Sequence, residues 1–295
     1  MKRALQFIIP IALVFSGSCK SKTQIDPVPA FTSPQKVTIT GYSGNTMEPF
    51  LTRDGTILFF NNLNSAPENT NLHWSTRIND STFQYKGELI GVNTPRLEAV
   101  ATMDSQGIFY FVSDRDYNST LASVFVTVFS NGSVGNALTV GGISRNLGGW
   151  LNFDVEVDAS GEILYFVDGR FDQAGGPYEA DFVMAGKTST GFERFSNSAE
   201  LFKNINTTDL EYAAGISKDN LEFYFTRVAA PLTSSSIPEI FRSRRNSLKD
   251  PFDAPTKIES ITGFAEAPTV SPDGKILYFH KKVNGKFVIY LVRKM

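Results

Sequence analysis

The chain has 295 residues, and its 28 Lys and Arg residues against 30 Asp and Glu residues give a formal net charge of −2. Its one cysteine, Cys19, excludes an internal disulfide, so the stability of the fold must come from core packing. Basic residues are spread along the chain without interleaved aromatic clusters, which argues against a nucleic-acid partner.

The first 18 residues have the features of a bacterial export signal. A positively charged start precedes an apolar stretch, residues 5–15, that is too short to span a bilayer. This stretch ends at Ser16-Gly17-Ser18-Cys19, which resembles the lipobox of bacterial lipoproteins except that a serine replaces the usual aliphatic residue. The resemblance implies that Cys19 is lipidated and becomes the mature N-terminus.

Residues 19–33 are predicted to be a flexible tether between the lipid and a folded domain, because they are rich in Ser, Thr, Pro and Lys. A lipid chain removes the need for a transmembrane span. We therefore expect a lipid-anchored protein of the bacterial cell envelope, at the outer membrane, with its domain outside the cytoplasm.

Residues 34–295 repeat one phrase five times, a turn followed by a short strand that ends in an aromatic residue and Phe. The copies are RDGTILFF, DSQGIFYF, ASGEILYF, KDNLEFYF and PDGKILYF, which end at Phe60, Phe111, Phe166, Phe225 and Phe279. A repeat of about 50 residues built from short strands is typical of a β-propeller blade. The tight turns require positive φ at Gly, Asn or Asp, and the aromatic pairs are predicted to pack between blades.

The last repeat ends after its predicted third strand, residues 287–292, and so lacks a fourth strand. The missing strand is expected from the N-terminus, because residues 34–42 resemble residues 255–264, the fourth strand of the preceding blade. The predicted fold is an all-β, five-bladed propeller of four-stranded antiparallel blades. Pairing of residues 36–42 with the C-terminal blade closes the ring and leaves no open edge.

The repeats resemble the WD-like β-propeller repeats of TolB-type proteins. In that family a Pro-x-x-Ser-Pro-Asp-Gly turn precedes a strand with an aromatic pair, as in residues 268–279 here. Blade one keeps Pro49, Asp54 and Gly55, whereas blades two to four keep the strand and lose much of the turn. The resemblance covers nearly the whole domain. It implies the fold and a binding or scaffold role, without any particular chemistry.

Propeller topology predicts that two sets of polar residues meet on one face of the disc, where loops on a rigid scaffold often bind ligands. The set that precedes or begins the first strands is Glu48, Glu98, Asp154, Glu211 and Glu266. The set that follows the second strands includes Asp168, Arg170 and His280. Counted back from the Phe, the five carboxylates differ by one or two residues, so only bulges would let them share a face. We expect solvated acids at a channel mouth, with no metal or cofactor.

Blade three carries two further candidate residues, Glu156 and Trp150. Where blade three has Glu156, the other blades place Phe50, Ala101, Gly215 and Thr269. A carboxylate in such surroundings needs a partner, and we expect Arg145 or Arg170. Two interpretations stay open, a structural ion pair and a ligand-facing carboxylate. Trp150 is a candidate platform for a sugar or peptide.

The sequence contains no Ser-His-Asp order, no zinc-spaced His/Cys set and no phosphate-binding glycine loop. The leading hypothesis is a monomeric, lipid-anchored, non-catalytic module that binds a protein or polysaccharide of the envelope. The alternative is a furanosidase-like glycosidase that uses carboxylates at the channel mouth. A pair of carboxyl groups about 5–9 Å apart in an open pocket favours the glycosidase, and salt-bridged acids favour the binding module. An accessory subunit of an envelope assembly is a third hypothesis.

Overall fold

The computed structural model describes residues 29–64 and 69–295 and shows five small β-sheets arranged as a five-bladed β-propeller. The predicted fold class is confirmed. The first strands of the five blades contact one another in a closed ring around a central channel. Blades three, four and five have four strands, while blades one and two have five.

The elements follow one another in chain order, blade by blade. Two N-terminal strands are β1 (Gln35–Lys36) and β2 (Thr38–Thr40). Blade one contains β3 (Met47–Leu51), β4 (Ile57–Asn61), β5 (Leu72–Asn79) and β6 (Thr82–Glu88). Blade two contains β7 (Glu98–Met103), β8 (Ile108–Ser113), helix α1 (Tyr117–Thr120), β9 (Val124–Ser130), β10 (Ser133–Val134) and β11 (Leu138–Thr139).

The remaining three blades repeat the arrangement. Blade three contains β12 (Trp150–Val157), β13 (Ile163–Arg170), β14 (Glu179–Thr188) and β15 (Gly191–Arg194) and is followed by helix α2 (Ser198–Leu201). Blade four contains β16 (Leu210–Ile216), β17 (Glu222–Val228), β18 (Glu239–Arg244) and β19 (Thr256–Lys257). Blade five contains β20 (Ala265–Val270), β21 (Ile276–Val283) and β22 (Lys286–Arg293), with β1 as its outer strand.

The aromatic pairs of the repeat pack between blades, as predicted. All ten of these side chains are at most 2% exposed. The ring centroids of Phe59 in blade one and Phe109 in blade two lie 5.0 Å apart, and those of Tyr165 and Phe223 in blades three and four lie 5.7 Å apart. The turns that precede these strands contain a residue with positive φ, as at Gly55 (73°) and Gly274 (71°). Glycine suits these positions because a side chain disfavours that conformation.

The N-terminal segment closes the ring, but it does so by pairing with two blades instead of one. Gln35 and Lys36 pair antiparallel with Leu291 and Tyr290 in blade five. Strand β2 then pairs parallel with β6 of blade one, so the strand expected over 36–42 splits after Val37. Side chains alternate along an extended segment, so Val37 and Ile39 point to the same side. Both are buried in the cluster between blades five and one, and they hold the segment there while its pairing changes from blade five to blade one.

The inner strands all contain a β-bulge near the end where they begin. The register shifts lie between Met47 and Phe50, Ala99 and Thr102, Asn152 and Val155, Tyr212 and Gly215, and Glu266 and Thr269. A bulge turns the residues on its two sides to different faces. It is therefore the device that decides which acids face the channel.

Blade two has a turn that is one residue shorter than the others. The amide of Asp104 donates to the carbonyl of Ile108, four residues on, whereas Thr52 donates to Ile57, five residues on. Counting back from the Phe had made Glu98 equivalent to Glu266. Because of the shorter turn, Glu98 is instead equivalent to Glu211. For the same reason Thr102, and not Ala101, is the blade-two equivalent of Glu156.

The predicted signal peptide, Cys19 and the tether up to residue 28 lie outside the described residues. Residues 30–32, at the end of the predicted tether, extend the closure: Met295 donates its amide to Ala30, and Thr32 donates to Arg293. Within the described part of the chain, no helix is long and apolar enough to cross a membrane.

Candidate functional site

A cavity of about 450 Å³ opens at one mouth of the central channel. It lies on the face of the disc where the first strands begin, which also carries the loops that follow the second strands. The residues that line it come from all five blades and include Glu48, Asn64, Arg96, Leu97, Val112, Asp114, Tyr117, Leu151, Phe153, Asp154, Phe171, Tyr212 and Glu266. Its walls are mainly apolar and its floor is acidic.

Three carboxylates from three different blades form the acidic floor: Glu48 on β3, Asp154 on β12 and Glu266 on β20. Glu48 and Asp154 occupy equivalent positions, two residues before Phe50 and Glu156, which face equivalent residues of their second strands. Glu266 lies three residues before the equivalent position in its blade, Thr269, and so one residue earlier than Glu48 and Asp154. The bulge between Glu266 and Thr269 compensates for this offset. The backbone of Glu48 itself has a positive φ of 46°, an unusual conformation for a residue with a side chain.

His280 links two of these acids beneath the cavity. The amide of Glu48 donates to His280 Nδ1 at 3.2 Å, and His280 Nε2 lies 3.0 Å from Glu266 Oε2. In the neutral ring this places the proton on Nε2. Burial disfavours a charged imidazole, but the hydrogen bond to Glu266 and the charges of both glutamates outweigh it and raise the pKa of His280. The hydroxyl of Tyr212 donates to the other oxygen of Glu266.

The pKa values of Asp154 and Glu48 are shifted upward. Burial, followed by the negative charges of Glu48 and Glu266, raises the pKa of Asp154 well above its usual range, against one hydrogen bond from the amide of Ala213. Burial also raises the pKa of Glu48, with Glu266 adding to the shift and His280 opposing it. Asp154 therefore holds a proton at pH values where an ordinary aspartate is ionised.

Glu98 and Glu211, also predicted for the binding face, lie outside the cavity lining and are fully buried. Glu211 accepts hydrogen bonds from the amide and hydroxyl of Thr207 and from Arg227 Nε, the last at 2.6 Å. Glu98 is bonded in the same way to the amide and hydroxyl of the threonine four residues earlier, and to Arg115 at 3.0 Å. Each side chain is thus held within its own blade.

Glu156 faces the channel below the cavity, and its partner is Arg53. Arg53 Nη2 lies 2.7 Å from Glu156 Oε1, and the hydroxyl of Thr102 donates to Oε2 at 2.6 Å. The expectation of Arg145 or Arg170 as partner was wrong. Arg53 lies in the first turn of blade one, so it reaches Glu156 from the opposite face of the disc. The pair links blades one and three across the channel.

The three other predicted residues of blade three surround the cavity without lining it. Asp168 makes two contacts of 2.7 Å with Arg194. Arg145 stacks on Trp150, with its guanidinium carbon 3.8 Å from the ring centroid, and this covers one face of the proposed platform. Arg170 lies 3.0 Å from the exposed Glu179.

Sequence reasoning missed Tyr212, Asn64 and the aromatic wall of Phe153 and Phe171. Phe153 lies in the bulge of β12 and Tyr212 borders the bulge of β16. A strict alternation of side chains along each strand, without bulges, therefore predicted that the neighbours of these two residues face the channel. A sequence signal for a bulge would have been needed to find them.

Glu48, Glu266 and His280 each present one potential metal ligand, and these atoms lie within 4.8 Å of one another. Both nitrogens of His280 are already engaged, by the amide of Glu48 and by the carboxylate of Glu266. A metal ligated by this imidazole would have to break one of those contacts. The arrangement therefore fits a hydrogen-bonded cluster better than a metal centre.

No protein-family model matches the sequence, and no curated protein matches it. Solved structures with a similar fold include the catalytic domain of a GH62 α-L-arabinofuranosidase from Coprinopsis cinerea, with a TM-score of 0.55 and 11% identity over 90% of this chain and 97% of that one. A family 117 glycoside hydrolase from Zobellia galactanivorans has a TM-score of 0.56 and 11% identity over 89% and 90%. A putative TolB from Agrobacterium tumefaciens has 0.51 and 11% over 89% and 79%. These likenesses show the fold alone.

Proposed function

We propose that the protein is a ligand-binding propeller of the bacterial envelope that holds one terminal unit of a saccharide in the channel-mouth cavity. The observation that carries the proposal is a concave cavity of about 450 Å³ whose apolar walls surround carboxylates from three blades. Pockets of this size with few polar groups suit small ligands. A protein partner needs a broader surface.

The side chains of the cavity suit a sugar ring. Carboxylates such as Asp154 and Glu48 accept hydrogen bonds from hydroxyl groups. Phe153 and Phe171, whose rings meet edge to face with centroids 5.4 Å apart, offer apolar surface to the C–H side of the ring. Because the cavity opens at the mouth of the central channel, the rest of a saccharide chain can extend outside it.

A glycan array probed with the soluble Cys19→Ser protein tests this proposal. We expect binding to a defined set of glycans, loss of that binding in Asp154→Asn, and no change in Glu179→Gln. Glu179 is a suitable control because its carboxylate is exposed near the cavity without lining it. Binding that survives in Asp154→Asn, or that is absent across the array, would contradict the proposal.

Glycoside hydrolysis is a second candidate function, favoured by the raised pKa of Asp154 beside Glu48 and Glu266. A carboxyl group with a raised pKa serves as a general acid when an ionised carboxylate is nearby. Retaining glycosidases place two carboxyl groups close together. Asp154, Glu48 and Glu266 share the floor of one cavity, where oxygens of the two glutamates lie within 4.8 Å of each other. Chromogenic arabinofuranosides, suggested by the fold neighbours, are the first substrates to assay. Turnover that disappears in Asp154→Asn while binding remains would establish catalysis.

Anchoring by a lipid on Cys19 completes the proposal for an envelope protein. Cys19→Ser should move the protein from the membrane fraction to the soluble envelope fraction, because lipid attachment is the proposed link to the bilayer. If the variant stayed with membranes at high salt, another anchor would have to exist.

A further inference from the structure

Glu48 and Asp154, on the floor of the cavity, lack the arginine partner that three other buried carboxylates have in the described part of the chain. Glu98, Glu211 and Glu156 each contact an arginine. Glu48 and Asp154 are comparably buried, at 7% and 4% exposure. Neither contacts a lysine or arginine among residues 29–64 and 69–295, and the imidazole of His280 beside Glu48 is already bonded to Glu266.

Each of these two side chains also keeps an oxygen without a hydrogen-bond donor. Asp154 accepts one bond, on Oδ2 from the amide of Ala213 at 3.2 Å, and Glu48 accepts one, on Oε1 from Asn64 at 2.6 Å. The other oxygens, Asp154 Oδ1 and Glu48 Oε2, have no partner within the described chain, and both side chains line the cavity. Because both side chains are buried and line the cavity, these two oxygens can accept from a donor that enters it.

The other charged groups of the cavity are already occupied. Arg96 contacts both oxygens of Asp114, with Nε–Oδ1 and Nη2–Oδ2 distances of 3.2 and 2.6 Å. Glu266 is bonded to Tyr212 and His280. The cavity as a whole therefore has an excess of acceptors and of negative charge.

The opposite wall is apolar and indicates the size and nature of the ligand body. It is formed by Leu97, Val112, Leu151, Phe153 and Phe171. A hydrated metal ion would leave this wall wet, whereas a ring-sized organic group would cover it and gain from the burial of apolar surface. Aromatic faces next to an acidic floor also attract an organic cation.

We infer that the cavity binds a ligand with a protonated primary amine on a ring-sized body, and that the ammonium group contacts Glu48 and Asp154. The inference rests on the proposed saccharide-binding function and names its ligand class, an amino sugar with a free amine. An ammonium group has three donors and no acceptor, which matches the two unpartnered oxygens. Charge-assisted hydrogen bonds of this kind are about twice as strong as neutral ones.

Isothermal titration calorimetry with matched probe pairs tests the inference. Glucosamine and glucose differ by the amine, and so do benzylammonium and benzyl alcohol. We expect each amine to bind at least about tenfold more tightly than its neutral counterpart. In Asp154→Asn and Glu48→Gln this preference should fall to about twofold or less, while Glu179→Gln should keep it. Thermal melts identify any variant that has not folded.

The probe pairs separate failure of this inference from failure of the proposed function. Equal binding of glucose and glucosamine would overturn the ammonium inference and leave saccharide binding intact. Tight binding of benzylammonium with no binding of either sugar would support the ammonium site and overturn the saccharide proposal. Absence of binding by all four probes would overturn both. Calcium that displaces the amine competitively, with higher affinity, would show that the acidic floor serves a metal ion and would overturn the ammonium inference.

Discussion

Two groups of buried carboxylates in this propeller differ in whether the chain supplies a cation. In blades two and four, Glu98 and Glu211 end the same Thr-x-x-Leu-Glu pattern, and each is bonded to its threonine and to an arginine. In blades one and three, Glu48 and Asp154 are almost as buried, and neither contacts an arginine in the part of the chain that the structure describes. The difference teaches that burial of an acid does not by itself mark a functional site. A buried acid that also lines a cavity and lacks a cation, as Glu48 and Asp154 do among the described residues, is a candidate site.

The largest effect is expected where the paired acids are broken. In Glu211→Gln, the new amide group must face either Arg227 Nε or the backbone amide of Thr207, and both are donors that cannot reverse. We expect the free energy of unfolding to fall by about 3 kcal/mol. Chemical denaturation of this variant beside Glu179→Gln measures the loss. A stability equal to that of the control would contradict the structural role of the paired group.

A smaller loss is expected for Glu156→Gln at the other end of the channel. Here Thr102 can rotate its hydroxyl to accept from the new amide, so that only the charge pairing with Arg53 is lost. The expected decrease in unfolding free energy is about 2 kcal/mol, with ligand binding unchanged. Denaturation and calorimetry on the same sample check both parts. Loss of binding at full stability would instead make Glu156 a ligand contact.

For Asp154→Asn we expect the free energy of unfolding to rise instead of fall. The folded-state pKa of Asp154 lies above the unfolded value because of burial and of Glu48 and Glu266. Its contribution to stability is therefore fully present below the unfolded pKa of about 4 and is lost as the pH rises toward the folded pKa. Asparagine carries no such penalty and still accepts the amide of Ala213.

We therefore expect Asp154→Asn to be about 1 kcal/mol more stable than the native protein at pH 7, because asparagine has no charge to bury at this position. The difference should shrink as the pH falls and vanish near pH 4. Denaturation curves at several pH values provide the measurement. A variant that is less stable at pH 7 would move Asp154 into the structural group.

The sequence predicted the architecture well because the repeat encodes it locally. Each copy contains its own turn and its own buried aromatic pair, such as Phe59 and Phe60 in blade one. The closure was found from the similarity of two strands, but the passage of β2 to blade one was not. That crossing depends on how Val37 and Ile39 pack between two blades, which is a tertiary effect.

The candidate site was only partly predictable. Glu48, Asp154 and Glu266 were named because they begin the first strands, and they do line the cavity. The same rule also selected Glu98 and Glu211, since the sequence shows neither the bulges nor the shorter turn of blade two. The partner of Glu156 was missed because Arg53 approaches from the other face of the disc and lies two blades earlier in the sequence than the arginines that were considered.

Direct titration of the Asp154 carboxyl group by carbon-detected NMR tests the central claim, that this buried acid lacks a counter-charge in the free protein. The account predicts a midpoint well above the ordinary aspartate value of about 4, moving down when an amine ligand is bound. A midpoint at or below about 4 in the free protein would show that Asp154 is already compensated. It would contradict the distinction between the two groups of carboxylates.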